Sequence, residues 1–345
     1  MNRPVLSVVI PNFNNEKYLE EMVGCICSQT FTQWELIIVD DGSTDKSYEV
    51  AQRLSNMDSR IKAMLRNREP KGGQTCRNIG FDVAKGKYVI FFDSDDLILR
   101  TCFEQRVCFM EKHDELDFAV FPAHSFKARE DFETLYRTDT KWGLRRKGDP
   151  IRMFLSNDYP FLVATNIYRK DAIEEIRWDE TVILRQDLMF NLAVLFKGLR
   201  FEYCDNAKFD YFYRGAWSNN NVSSNMAQPS KYEGMLHVFD LIIECIDDCS
   251  KDASAKYKQS LKHYIVHYYN ELIVAGNRSL CLDFVKHFEK YFDVGFISRL
   301  KIIFGIEKKV KSVDFRNYSS YLLFLLLFGY KFYFRLIGKA LKRIV

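Results

Sequence analysis

The first hundred residues alternate short apolar runs with longer amphipathic ones. Residues 5–10, VLSVVI, form an apolar β-branched run closed by Pro11, which predicts a buried strand. Residues 15–29 place Leu19, Met22, Val23 and Ile26 on one helical face. WELIIVDD (34–41) predicts a second strand ending in two carboxylates, and GSTDKSYEVAQRL (42–54) a helix opened by capping residues. IKAML (61–65) is a third, shorter strand, and residues 73–85 a helix closed by Gly86. KYVIFFDSDD (87–96) is a fourth strand, again ending in carboxylates. Strands alternating with helices predict an α/β domain built on a mostly parallel sheet. Ligands of such sheets sit outside the carboxyl ends of the strands. The pairs Asp40/Asp41 and Asp93/Asp95 are therefore expected to converge on one rim.

Past residue 100 the alternation loosens. LDFAVFP (116–122) predicts a further strand, 123–149 a polar loop or edge, and 165–176 a strand leading into a helix. Residues 186–196 predict a helix and 201–214 short aromatic strands. SNNNVSSN (218–225) is a loop signal, and beyond about residue 228 the pattern is helical with few Gly or Pro. The expected division is a domain over 1–225 and a helical region over 226–345, ending in a segment of its own at about 318–345.

Charge sets that last segment apart. The chain of 345 residues carries a net charge of only +4, which gives no sign of a nucleic-acid partner. From Phe296 to Val345, however, 11 Lys and Arg face 2 Asp and Glu, leaving the preceding residues at −5. YLLFLLLF (321–328) falls short of the ~20 apolar residues of a spanning helix. Lys331, Arg335, Lys339, Lys342 and Arg343 share a helical face opposite Phe332, Leu336, Ile337, Leu341 and Ile344. That is the signature of a helix lying on an anionic membrane surface, and a basic face solvated on a packed helix is the alternative. A hydrophobic content of 47% with 15% aromatics argues against disorder. The nine cysteines form no Cys-x-x-Cys pair and have no His cluster beside them, which argues against zinc and fits reduced thiols in the cytoplasm. MNRPVLSVVIPNFN reads as a first strand rather than an export signal.

The carboxylates carry the candidate chemistry. In an extended chain Asp93 and Asp95 fall on one side. Mg²⁺ and Mn²⁺ take one or two carboxylates together with phosphate oxygens, so Asp-x-Asp suits a metal bound to a nucleotide diphosphate. An acidic turn capping the next helix through Asp96 is the simpler alternative. Asp40-Asp41-Gly42-Ser43 suits a tight turn, and a carboxylate there can also accept a uracil N–H or a ribose hydroxyl. The first turn, PNFNNEKY, lacks G-x-G-x-x-G, which disfavours a dinucleotide enzyme.

SVVIPNFNNEKYLEEMVGCICSQTFTQWELIIVDDGSTDKS and GGQTCRNIGFDVAKGKYVIFFDSDD resemble the opening of the inverting family 2 glycosyltransferases, which have the GT-A fold. The resemblance is strong over 5–100 and weaker over about 150–215. It implies that Pro11 and Phe13 line a nucleotide site, that Asp41 bonds uracil with Asp40 beside it, and that Arg77 and Asn78 approach the donor. Asp93 would face the ribose and Asp95 would hold Mn²⁺ or Mg²⁺. Similar enzymes carry Glu-Asp at a helix start, with the Asp as base. Here Gln186-Asp187 stands in that place, so Asp187 would be the base with Gln replacing the usual Glu. An Asp at a helix N-terminus is also favoured on any fold, and the helix dipole is expected to lower its pKa. Arg214 falls where such enzymes place a segment closing over the donor, and would meet the diphosphate. A surface Arg is the alternative there. The resemblance implies a UDP-sugar donor, a glycan or lipid-linked acceptor, and work on a bacterial surface polysaccharide such as capsule or lipopolysaccharide. The tail would place the protein in the cytoplasm, peripheral on the inner face of the cytoplasmic membrane. A sugar-phosphate nucleotidyltransferase would need a Gly-rich basic loop after its first strand. A non-catalytic nucleotide-binding scaffold would not need Asp95 or Asp187.

Overall fold

The computed structural model describes residues 3–126, 142–207, 210–214 and 227–309. The chain divides into two compact units, Met1–Ser224 with His237–Leu261, and Asn225–Leu236 with Lys262–Val345.

The first unit is built on β1 (Leu6–Asn12), β2 (Trp34–Asp40), β3 (Ile61–Leu65), β4 (Tyr88–Phe91), β6 (Phe118–Val120), β8 (Asn166–Arg169) and β9 (Phe201–Tyr203), in the order β3-β2-β1-β4-β8-β6-β9. Only β8 runs against its neighbours in this sheet. A three-stranded sheet in the order β5-β10-β7 joins β5 (Leu97–Ile98), β7 (Ala123–Phe126) and β10 (Tyr211–Arg214). The class is α/β, with a mostly parallel sheet, as the alternation predicts.

Both faces of the central sheet are covered. Leu6, Val8, Ile10, Leu36 and Ile38 pack with Leu19, Met22, Val23 and Ile26 of α1 (Glu16–Cys27) and with Ala51 of α2 (Ser47–Met57). Burying such side chains stabilises by ~1.5–3 kcal/mol each. α3 (Gly73–Val83) lies against β1 at Gly80, where a Cβ would stand 2.4 Å from Val9 Cγ1. Glycine is what lets that helix approach. α4 (Cys102–Lys112) brings the fully buried Arg106 to Asp210, which accepts from its Nε at 2.9 Å and from its Nη2 at 2.7 Å. This buried pair ties the start of β10 to the body.

Several local expectations change. The second helix starts at Ser47, because residues 42–46 turn around Asp40. The fourth strand stops at Phe91, and Ser94 and Asp95 form a turn rather than extended chain. Part of the 123–149 stretch is the strand β7, followed after the undescribed residues by α5 (Pro150–Leu155), which is capped by Asp149. The helix after β8 is a single 3₁₀ turn, Asp171–Ile173. α6 (Gln186–Phe196) has the bounds its pattern predicts.

Beyond residue 226 the described chain is helical, with α7 (Pro229–Asp247), α8 (Lys251–Val274), α9 (Arg278–Phe288) and α10 (Val294–Lys309). Within the second unit Phe284 stacks on Tyr269 with ring centroids 5.6 Å apart, and meets Phe288 at 4.7 Å. Among the described residues no helix is long and apolar enough to cross a membrane. The basic segment at 318–345 lies outside the described residues.

Candidate active site

The carboxyl ends of β2, β1 and β4 lie side by side, with Asn12 in register with Asp40 and Val9 with Phe91. The sequence therefore delivers its acidic motifs to one rim. Asp40 is fully buried and heavily bonded. Its Oδ1 accepts from the Gly42 and Ser43 N–H groups at 3.0 and 2.7 Å, and its Oδ2 from Asn12 Nδ2 and Ser43 Oγ, each at 2.7 Å. These bonds fold the turn in which Gly42 has a φ of +78°. Asp40 thus shapes the rim from inside.

Asp41 is positioned by a different set. Its N–H donates to Asn12 O at 2.8 Å, while its Oδ1 accepts from Arg66 Nε at 2.6 Å and from the Gly72 N–H at 3.2 Å. Arg66 follows β3, whose end reaches the same rim. The ring of Phe13 is exposed, and Lys71 Nζ stands 3.8 Å from its centroid. Pro11, next to the last residue of β1, is half-buried.

Arg77 links the two halves of the site. It projects from the N-terminal half of α3, lies 4.4 Å over the Trp178 ring, and donates from Nη2 to Asp93 Oδ1 at 2.7 Å. Its Nη1 donates to Gln186 Oε1 at 3.2 Å. Asn78, one residue on, turns the other way. Its Nδ2 donates to Trp178 O and to Glu180 Oε1, both at 2.8 Å, and its Oδ1 accepts from the Trp178 N–H at 3.0 Å. That amide braces the turn under Arg77.

The DSDD turn is crowded with negative charge. Asp95 is pushed up to about 6, first by burial and then by Asp93. Asp96 is fully buried and held well above the carboxylate range by burial, then by Asp95 and Asp93. Asp96 caps no helix. Its Oδ2 accepts from the Tyr211 hydroxyl and its Oδ1 from the Arg214 N–H at 2.6 Å, tying the turn to β10. The Arg214 side chain donates to Asp95 O at 2.6 Å and to Glu21 Oε2 at 2.9 Å. It therefore stands at the turn itself rather than on an open surface.

Asp187 occupies the first turn of α6 and is half-buried. Burial pushes its pKa up to about 6, Arg77 works against that rise and Asp93 adds to it. The dipole-lowered value expected from the helix N-terminus is overturned, because desolvation outweighs the dipole. A carboxylate tuned towards neutrality is a better proton acceptor than an ordinary Asp.

The donor set suits a hard divalent cation: Asp95 would offer an oxygen ligand in a turn crowded by like charges, which a cation would relieve. Among the described residues no cluster of three His, Cys, Asp or Glu could hold a metal by itself. Oxygens of a bound diphosphate would complete such a shell.

Arg66, Trp178, Tyr211 and Gln74, whose Oε1 accepts from Gln186 Nε2 at 2.7 Å, were not predicted as parts of the site. Each acts through a partner distant in sequence, and only the placement of Arg66 just after a rim strand gave any signal.

Residues 7–177 match the sequence family described as Glycosyl transferase family 2. That segment is a glycosyl transferase family 2 domain. Among its relatives is the "Uncharacterized glycosyltransferase YibD" of Escherichia coli, 31% identical over 232 residues, which are 66% of this chain and 65% of that one. The "Minor teichoic acid biosynthesis protein GgaB" of Bacillus subtilis is 28% identical over 219 residues, covering 60% of this chain and 23% of that one. The match thus spans less than two thirds of each of these relatives. Residues 1–349 of S. aureus TarS, solved in complex with UDP-GlcNAc, superpose with a TM-score of 0.62 at 19% identity, over 88% of this chain and 87% of that chain. That likeness shows a common fold, the GT-A arrangement of this family 2 domain.

Proposed function

We propose that the chain is an inverting glycosyltransferase that moves a sugar from a UDP-sugar to a glycan or lipid-linked acceptor. The observation that carries this reading is the placement of Asp187 beside the Arg77–Asp93 pair, with its pKa raised to about 6. UDP-GlcNAc in TarS supports the donor class, and the teichoic acid role in the name of GgaB supports a surface glycan as product.

In this reading Phe13 and Pro11 flank the base, and Asp41, oriented by Arg66 and the Gly72 N–H, accepts the uracil N–H. Asp40 keeps that turn in shape. Asp93 meets the ribose. Asp95 would hold Mn²⁺ or Mg²⁺, which would supply charge neutralisation for the departing diphosphate. Arg214 fixes the turn that carries Asp95, and stands ready for the diphosphate. Asp187 takes the proton of the acceptor hydroxyl as its oxygen bonds the anomeric carbon. The bond from that carbon to the phosphate oxygen breaks, its electron pair leaves with UDP, and configuration inverts. One displacement needs one base and no covalent enzyme intermediate.

The tail completes the proposal: residues 318–345 would hold the protein on an anionic leaflet, beside a lipid-linked acceptor. Loss of binding to anionic vesicles on deleting 319–345 is the expected result, and unchanged binding contradicts it.

The test of the donor site is calorimetric titration with UDP, GDP and CMP, with and without Mn²⁺. Mn²⁺-dependent binding of UDP alone is expected. Preference for GDP or CMP overturns the donor class, and binding of none overturns the enzyme reading.

A further inference from the structure

Gln186 and Asp187 are adjacent, and both interact with Arg77. Gln186 Nε2 donates to Gln74 Oε1 at 2.7 Å and to Ile183 O at 3.2 Å, which fixes the amide and aims its Oε1 at Arg77 Nη1, 3.2 Å away. The other arm of Arg77 holds Asp93 at 2.7 Å. A single guanidinium thus stands between a neutral amide, a donor-side carboxylate and the neighbouring Asp187. Gly73 makes room for the arrangement, since a Cβ there would stand 3.1 Å from Arg77 Nη1 and 3.4 Å from Gln186 Oε1.

We propose that Gln186 is a positioning residue: clamped by Gln74, its uncharged amide holds the Arg77 guanidinium in place without drawing on its charge, so that one Arg serves both Asp93 and Asp187. This rests on the roles given above to Asp93 and Asp187. A carboxylate at position 186 would bond Arg77 equally well in geometry, but would compete for its charge. The neutral residue keeps the base partly compensated. The groups bearing on Asp187 are Arg77 from α3, Asp93 from the turn after β4, Tyr168 from β8 and Tyr213 from β10. Arg77 is the one positive charge among these four.

The test compares wild type with Gln186→Glu and Gln186→Ala in the full chain. Two quantities are measured: the pH profile of transfer with its kcat and donor KM, and the carboxyl titration of Asp187 by carbon-detected NMR, assigned by its loss in Asp187→Asn. In Gln186→Glu the Asp187 midpoint and the acidic limb of the rate are expected to rise together by about half to one pH unit. In Gln186→Ala donor KM is expected to rise several-fold as Arg77 loosens from Asp93. A merely structural Gln186 would lower thermal stability and leave the Asp187 midpoint and donor KM at their wild-type values. That outcome overturns the proposal. If the midpoint rises in Gln186→Glu while Asp187→Asn still transfers sugar, Gln186 keeps its role and the base assignment alone fails.

Discussion

Arg77 and Asp93 form an ion pair at 2.7 Å in which the cation is the hidden partner, 10% exposed against 37% for the carboxylate. Trp178 covers the guanidinium, so its charge is directed at Asp93 and Asp187 rather than at solvent. An open carboxylate braced by a covered cation is suited to receive hydroxyls of a ligand.

Arg77→Lys keeps the charge but loses the fork that reaches Asp93 and Gln186 together. Donor affinity is expected to fall about tenfold or more, with a smaller change in thermal stability. Calorimetry with UDP and a melting curve measure the two effects separately.

Asp187→Asn is expected to abolish transfer and to stabilise the protein. Because the folded pKa is raised to about 6, the native state binds more protons than the unfolded chain between the ordinary carboxylate range and about 6. Stability therefore falls as pH rises through that window, and the penalty persists above it. Asn removes the penalty. Its Tm is expected to exceed wild type by a few degrees at pH 7.5 and by less at pH 5.

The same pKa sets the activity profile. Asp187 must be ionised to accept a proton, so transfer by the wild type is expected to fall as pH drops through about 6. A rate that stays flat from pH 7.5 to pH 5 contradicts the base role.

Asn78→Ala separates bracing from binding. Removing an amide that holds the Trp178 backbone and Glu180 is expected to cost ~1–3 kcal/mol of stability. Donor KM should move only through Arg77, by less than in Arg77→Lys. A tenfold loss of UDP affinity with unchanged stability would return Asn78 to direct contact.

Local pattern made much of this protein legible. Leu19, Met22, Val23 and Ile26 mark the buried face of α1, and Gln186–Phe196 has the predicted bounds, because each is set by periodicity within one segment. The convergence of Asp40 and Asp93 on one rim follows from the parallel alternation. Less legible were features whose cause lies far along the chain. The fourth strand stops at Phe91, and Asp96 turns to Tyr211 and Arg214, over a hundred residues away. β8 runs antiparallel because of where the chain re-enters the sheet, which its own sequence does not encode. The raised pKa of Asp187 depends on burial by other elements, and a helix-terminus rule does not include that burial.

The central claim is that Asp187 removes the acceptor proton without contributing to donor binding. Donor binding and sugar transfer by wild type and Asp187→Asn, measured side by side with a UDP-sugar and Mn²⁺, test it most directly. The account predicts equal UDP affinity and a loss of at least about a hundredfold in transfer for the variant. Near-normal transfer by Asp187→Asn would contradict it.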